Sequence, residues 1–193
     1  MILEITMDVT DAIKIRRAYR SLSPVEMTES LVSDLATHAS LSASCNNNQP
    51  WRYVFVYNKN QLERMHAVLS KGNKWVELAS MIIAVFSKAE DDCIVKERLY
   101  NLFDTGMATA FLILRATELG LVAHPIAGFN EEKVKEILEI PNDYQVITLV
   151  NVGKKAQGIH PYLSEQQAAR EVERPARLRL DEFAFHDSYK KIE

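Results

Sequence analysis

Glycine is scarce in this chain: six in 193 residues, at positions 72, 106, 120, 128, 153 and 158. No GxGxxG and no GxxxxGK fits those positions, so neither glycine loop that cradles a nucleotide phosphate with backbone N–H groups is present. A GxSxG nucleophile elbow is missing too. The histidines, at 38, 66, 124, 160 and 186, are scattered, with no HExxH and no spacing of a zinc site. Metal-dependent, P-loop and serine-hydrolase chemistry are all disfavoured. Cysteine is limited to Cys45 and Cys93, which form no CxxC; reduced thiols in a cytoplasmic protein are the expectation. No apolar run approaches the length of a membrane span. The start, Met1-Ile2-Leu3-Glu4, has neither the basic residues nor the apolar stretch of a signal peptide. A net charge of −3 points away from a general nucleic-acid or membrane-surface binder.

What is present is an ordinary globular composition, 47% hydrophobic and 25% charged, in a chain long enough for one domain with a real core. The pattern predicts helices over 8–21, 27–39 (Leu31, Leu35 and Ala39 on one face) and 60–70. Strands are predicted over 52–57 and 121–123, and over 81–86, where a continuous apolar run suggests burial on both faces. The longest helix is predicted over 98–119. Between Gly106 and Ala116 it is apolar nearly all round, as in a core or a subunit interface, and Gly120 ends it. Asn130 caps a further helix, and 146–152 is a last strand. The order gives an α+β (mixed α/β) fold. Residues 1–155 form the domain, and 156–193 a polar, basic C-terminal arm with a few apolar anchors.

Four stretches can carry chemistry. Arg16-Arg17-Ala18-Tyr19-Arg20 places Arg16 and Arg20 one turn apart if the segment is helical, where two guanidinium groups can grip a phosphate; the alternative is a solvated basic face. Ser44-Cys45-Asn46-Asn47-Asn48-Gln49-Pro50-Trp51 offers amide donors and acceptors suited to a pyrimidine or flavin edge; the alternative is a turn with left-handed asparagines. His124-Pro125-Ile126-Ala127-Gly128-Phe129-Asn130 joins a short strand to a helix start, where Gly128 permits close backbone approach. A second basic cluster, Arg174 to Arg179, lies late in the chain and completes a phosphate site only if the tail folds back.

Taken in order, RRxxR, SxxNxQPW, DxGxA (Asp104, Gly106, Ala108), ELGL (Glu118 to Leu121), PIxGF and the late basic cluster resemble the nitroreductase family of FMN-dependent oxidoreductases, over nearly the whole chain. The resemblance implies a central, mostly antiparallel sheet flanked by helices, in an intertwined homodimer with FMN sites at the interface. It assigns Arg16, Arg17, Arg20 and the Ala18 backbone to the FMN phosphate and ring, with Ala18 standing where the family often has Ser. Ser44, Cys45 and Asn47 lie against the partner's flavin, with no redox role for Cys45; Asn46 and Asn48 are left as turn formers. Asn73 is assigned to the pyrimidine edge, Ala127 and Gly128 to the neighbourhood of flavin N5, and Arg177 (alternatively Arg179) to the phosphate. The implied reaction is ping-pong: NAD(P)H passes hydride to flavin N5, leaves, and a small organic acceptor such as a nitroaromatic or quinone takes the electrons. No catalytic side chain and no metal is implied. The alternatives are a flavin-binding carrier or sensor with little turnover, or another reaction on the same flavin fold.

Overall fold

The computed structural model describes residues 7–189. At its centre lies strand β3 (Met81–Ser87), every residue of which is buried. It pairs antiparallel with β2 (Arg52–Val56) on one side and with the long β7 (Gln145–Lys155) on the other. The other edge of β7 pairs with β6 (Val122–Ile126), and the C-terminal end of β7 pairs with the short β1 (Leu22–Ser23). All these pairs are antiparallel.

The continuous apolar run of β3 is explained by its two faces. Side chains alternate across a strand. Met81, Ile83 and Val85 pack with Leu35 and Ala39 of α2 (Glu29–Ser40) and with Leu112 and Ala116 of α4 (Asn101–Glu118). Ile82, Ala84 and Phe86 pack on the opposite side with Met65 of α3 (Lys59–His66), Val134 of α5 (Glu131–Leu138) and Trp75 of a 3₁₀ stretch at Lys71–Leu78. The molecule is thus an α+β fold, an antiparallel sheet between two helical layers.

Helix starts follow side-chain capping. Asp8, Thr28, Asn58 and Asn130 each accept a backbone N–H of the following turn, at the starts of α1 (Val9–Ile15), α2, α3 and α5. Gly120, with φ +73°, turns the chain after α4. Residues 94–99 form a small hairpin, β4 (Ile94–Val95) and β5 (Arg98–Leu99), so the helix expected from residue 98 starts later, at Asn101. Helix α3 stops at His66, short of the expected Ser70.

Three expectations need correction. The first helix ends at Ile15, and Arg16 has φ −51° and ψ 121°, so Arg16 and Arg20 do not lie one helical turn apart. Partners distant in sequence end this helix: Arg174 Nη2 donates to the carbonyls of Lys14 and Arg16, at 2.6 and 3.0 Å. These are last-turn carbonyls that lack partners within the helix. Secondly, the arm contains a regular helix, α6 (Glu165–Val172), started by a Ser164–Gln167 capping box. Its one buried residue is Glu171, so no apolar period betrays it. Thirdly, Cys45 and Cys93 are joined in a disulfide. They are not reduced thiols, and the compartment inferred from that state loses its support. No helix among the described residues is long and apolar enough to cross a membrane.

Candidate functional site

The arm folds back on the segment that follows α1. Glu171, 8% exposed, accepts the backbone N–H of Arg20 at 2.9 Å and of Ser21 at 3.0 Å. Arg17 Nη2 donates to the carbonyl of Arg170 at 2.7 Å. These bonds and those of Arg174 hold residues 16–21 out of the helix and stitch them to α6. The result is a pocket of about 180 Å³ lined by Arg16, Arg17, Ala18, Arg20, Arg170, Arg174, Pro175 and Arg177. Six arginines line it.

So much like charge in one half-buried place opposes ionisation. Burial pushes the Arg16 guanidinium below its ordinary pKa, and Arg174 and Arg177 push it further. Burial lowers Arg20; Glu171 opposes this and Arg170 adds to it. A bound anion would relieve both effects.

Arg20 links the pocket to the sheet. Its guanidinium lies 5.8 Å from the Trp75 ring centroid, within cation–π range. Trp75 stacks on His124 with centroids 4.6 Å apart. His124 Nδ1 lies 3.0 Å from the Tyr19 carbonyl, which can only accept, so this nitrogen carries the hydrogen. Burial first, then Arg20 and Arg16, push its pKa down to about 4, against the raising effect of the Tyr19 bond. The ring is neutral at pH 7.

Asn73 and Gly128 are in direct contact. Asn73 Nδ2 donates to the Gly128 carbonyl at 2.9 Å and to Ser70 Oγ at 3.3 Å. Both amide hydrogens are thereby engaged, and the carbonyl Oδ1 is what Asn73 can still offer. A Cβ on Gly128 would lie 2.4 Å from Ser70 Oγ and 2.5 Å from Asn73 Nδ2. Glycine is required here by close approach. Ala127 beside it is exposed.

Ser44, Cys45 and Asn47 form a separate group. Their loop contains a 3₁₀ turn at Cys45–Asn47, with positive φ at Asn46, Asn47 and Gln49. Ser44 Oγ accepts the Gln49 N–H at 3.0 Å, and Asp104 Oδ2 accepts the Cys45 N–H at 2.6 Å. Among the described residues, no hydrogen bond joins this loop to the arginine pocket. Of the basic pair left open by sequence, Arg177 lines the pocket, while Arg179 is paired with its neighbour Asp181 at 2.6 Å. Arg170 and Glu171 were missed. The only sequence signal for Arg170 is its i,i+4 spacing to Arg174; Glu171 has none.

Layered α+β architecture with a preformed basic pocket, closed by the chain's own returning arm, sets the structural class. The family model described as the Nitroreductase family matches residues 69–154. A relative from Methanothermobacter thermautotrophicus, named "Putative NADH dehydrogenase/NAD(P)H nitroreductase", is 26% identical over 182 residues, spanning 92% of this chain and 88% of its own. A crystal structure of a nitroreductase family protein from Clostridium novyi NT superposes with a TM-score of 0.73 at 23% identity, over 78% of this chain and 87% of that one. Another, described as an oxidoreductase containing FMN, gives 0.81 at 25% identity over 97% and 94%. The chain belongs to the nitroreductase family.

Proposed function

We propose that this protein is a homodimeric FMN-dependent oxidoreductase that passes electrons from NAD(P)H to a small organic acceptor, such as a nitroaromatic or quinone. The lining of one pocket by six arginines carries this reading. It is a site with an unbalanced charge, suited to a phosphate dianion. The likeness to the Methanothermobacter relative, named for NAD(P)H nitroreductase activity, and to the oxidoreductase containing FMN supports the reductant and the cofactor.

In this reading Arg16, Arg17, Arg20 and Arg177 grip the phosphate and Ala18 contributes a backbone N–H. Asn73 presents Oδ1 to the pyrimidine edge of the ring, and Ala127 and Gly128 line its reactive side. Bound FMN would supply the redox chemistry, carrying electrons from NAD(P)H to the acceptor. Arg20, steadied over Trp75, places positive charge near the ring. No protein nucleophile is needed. Ser44, Cys45 and Asn47 serve the partner's site, in keeping with their separation from the pocket of their own chain. The arm, 156–193, completes the domain formed by 1–155.

The dimer reading rests on an apolar face left uncovered among the described residues. Val9, Ala12, Leu41, Phe111 and Leu114 line an apolar depression of about 300 Å³ where α1, α2 and α4 meet. Phe103 on α4 is 63% exposed, a large apolar side chain left in water.

The visible spectrum of the purified protein tests the proposal, followed by NADH and NADPH oxidation with a quinone or nitroaromatic acceptor. A yellow protein that turns over is expected. A colourless protein that fails to take up added FMN overturns the reading.

A further inference from the structure

The disulfide bridges segments 48 residues apart in sequence, and its surroundings are asymmetric. Asn46 Nδ2 and Asn48 Nδ2 both point at Cys93 Sγ, at 3.4 and 3.5 Å. Among the described residues no donor does the same for Cys45 Sγ. Both cysteines are half-buried, within reach of a small molecule. Beneath them lie two acids, Asp92 at 8% and Asp104 at 2% exposure. A carboxylate oxygen of Asp92 is within 4.8 Å of both sulfurs. Asp92 Oδ2 is buried with no hydrogen-bond partner. Burial, and the facing Asp92 carboxylate, raise the Asp104 pKa against the lowering effect of the Cys45 N–H bond. Two buried carboxyl groups so close tend to share one proton.

We propose that Cys45–Cys93 is an exchange-active disulfide that accepts electrons from a dithiol, with Cys45 Sγ the sulfur attacked and Cys93 the leaving thiolate. Two amide N–H groups aimed at one sulfur stabilise negative charge there, and the thiol with the more stable thiolate leaves faster. The attacking thiolate forms a bond to Cys45 Sγ as the S–S bond breaks, and the electron pair leaves on Cys93. The second thiol of the dithiol then attacks its own sulfur in the mixed disulfide. It gives its proton through the Asp92–Asp104 pair to the departing Cys45. The dithiol ends as a cyclic disulfide, Cys93 as thiolate and Cys45 as thiol, so two electrons and all atoms are accounted for. Reduction also unties the loop that carries Asn46, Asn47 and Gln49 in left-handed conformations. The exchange itself needs no flavin, although Cys45 belongs to the loop assigned above to the partner's site.

The test uses the intact, folded chain with dithiothreitol, followed by iodoacetamide trapping across pH and peptide mapping. The expected result is reduction without denaturant, with Cys93 alkylated faster than Cys45 and titrating below the ~8.5 of a free thiol. Asn46→Gly and Asn48→Ala remove each donor without adding a charge and suit the local backbone, left-handed at Asn46 and helical at Asn48. Each is expected to raise the Cys93 pKa by about one unit, slowing its alkylation near neutral pH up to about tenfold. A purely structural role for these asparagines leaves that pKa unmoved. Reduction only in urea, preferential alkylation of Cys45, or a Cys93 pKa indifferent to both variants overturns the proposal. Cys93→Ser, which cannot form the bond, provides the fully reduced reference for Cys45.

Discussion

Glu171 and Arg20 are 151 positions apart, yet the Arg20 N–H meets the Glu171 carboxylate at 2.9 Å. The same carboxylate takes the Ser21 N–H, so one buried acid fixes the chain entering β1 and anchors the arm. Removing it strands two donors, one buried and one half-buried. Glu171→Ala is expected to cost about 2–3 kcal/mol, at ~1–3 kcal/mol per charge-assisted bond or unsatisfied donor. For a chain of this length that is a fall in Tm of roughly 4–12 °C. Thermal unfolding measures it. Limited proteolysis should show earlier cleavage within residues 156–180 than in wild type.

Gly128 tolerates no side chain in its present surroundings. Its φ is unexceptional; the obstacle is that an added Cβ would stand 2.4 Å from Ser70 Oγ and 2.5 Å from Asn73 Nδ2. Gly128→Ala must displace Asn73 from the Gly128 carbonyl. The expected loss is about 1–3 kcal/mol, as for other overpacked sites. Chemical denaturation checks the number. Pairing the change with Ser70→Gly and Asn73→Gly should recover part of the loss, since both blocking atoms are then gone; failure to recover any contradicts the steric account.

Legibility in the sequence tracked how local each determinant is. The β3 run Met81 to Phe86 declares its burial because both faces are apolar. Asn130 announces its helix because a cap needs only the next turn. The segment Arg16 to Arg20 misled because its own residues favour a helix, while Arg174 and Glu171, far along the chain, hold it out of the helix. Helix α6 stayed hidden because it buries a carboxylate and no apolar stripe. Asn46 and Asn48 passed for turn residues; their left-handed neighbourhood is real, but their amides also serve Cys93. Two cysteines without a motif carry no pairing information until the fold brings their Cα atoms to 6.0 Å.

Burial and neighbouring like charge oppose the charged forms of Arg16 and Arg20. Replacing both by Ala therefore should not lower stability without ligand, and relief of repulsion should leave the denaturation midpoint unchanged or slightly higher. The same double variant should lose FMN binding. Wild type should gain about 2.7 kcal/mol of stability at a hundredfold excess of FMN over its Kd, and the variant essentially nothing at the same concentration. Denaturation with and without FMN measures both effects together. A variant that keeps full stabilisation by FMN removes the phosphate from this pocket.

His124 makes stability depend on pH in a defined window. Its folded pKa is depressed from 6.5 to about 4 by burial beside Arg20 and Arg16. Between those values the unfolded chain binds a proton that the folded chain refuses, so stability rises with pH. The contribution is complete above about pH 6.5 and is lost progressively as pH falls towards 4. The full span is up to about 3 kcal/mol, at ~1.36 kcal/mol per unit. Asp34, Glu131 and Asp143, whose pKa values are lowered, act with the same sign but below their ordinary carboxylate range. The raised carboxyl of Asp104 acts with the opposite sign. The effect of His124 is isolated by comparing wild type with His124→Gln, which keeps a donor for the Tyr19 carbonyl and does not titrate. Unfolding free energies between about pH 4 and 7.5 should rise more steeply in wild type, with the difference levelling off above about pH 6.5. Parallel curves for the two proteins would mean that His124 takes up its proton equally well in the folded and unfolded states.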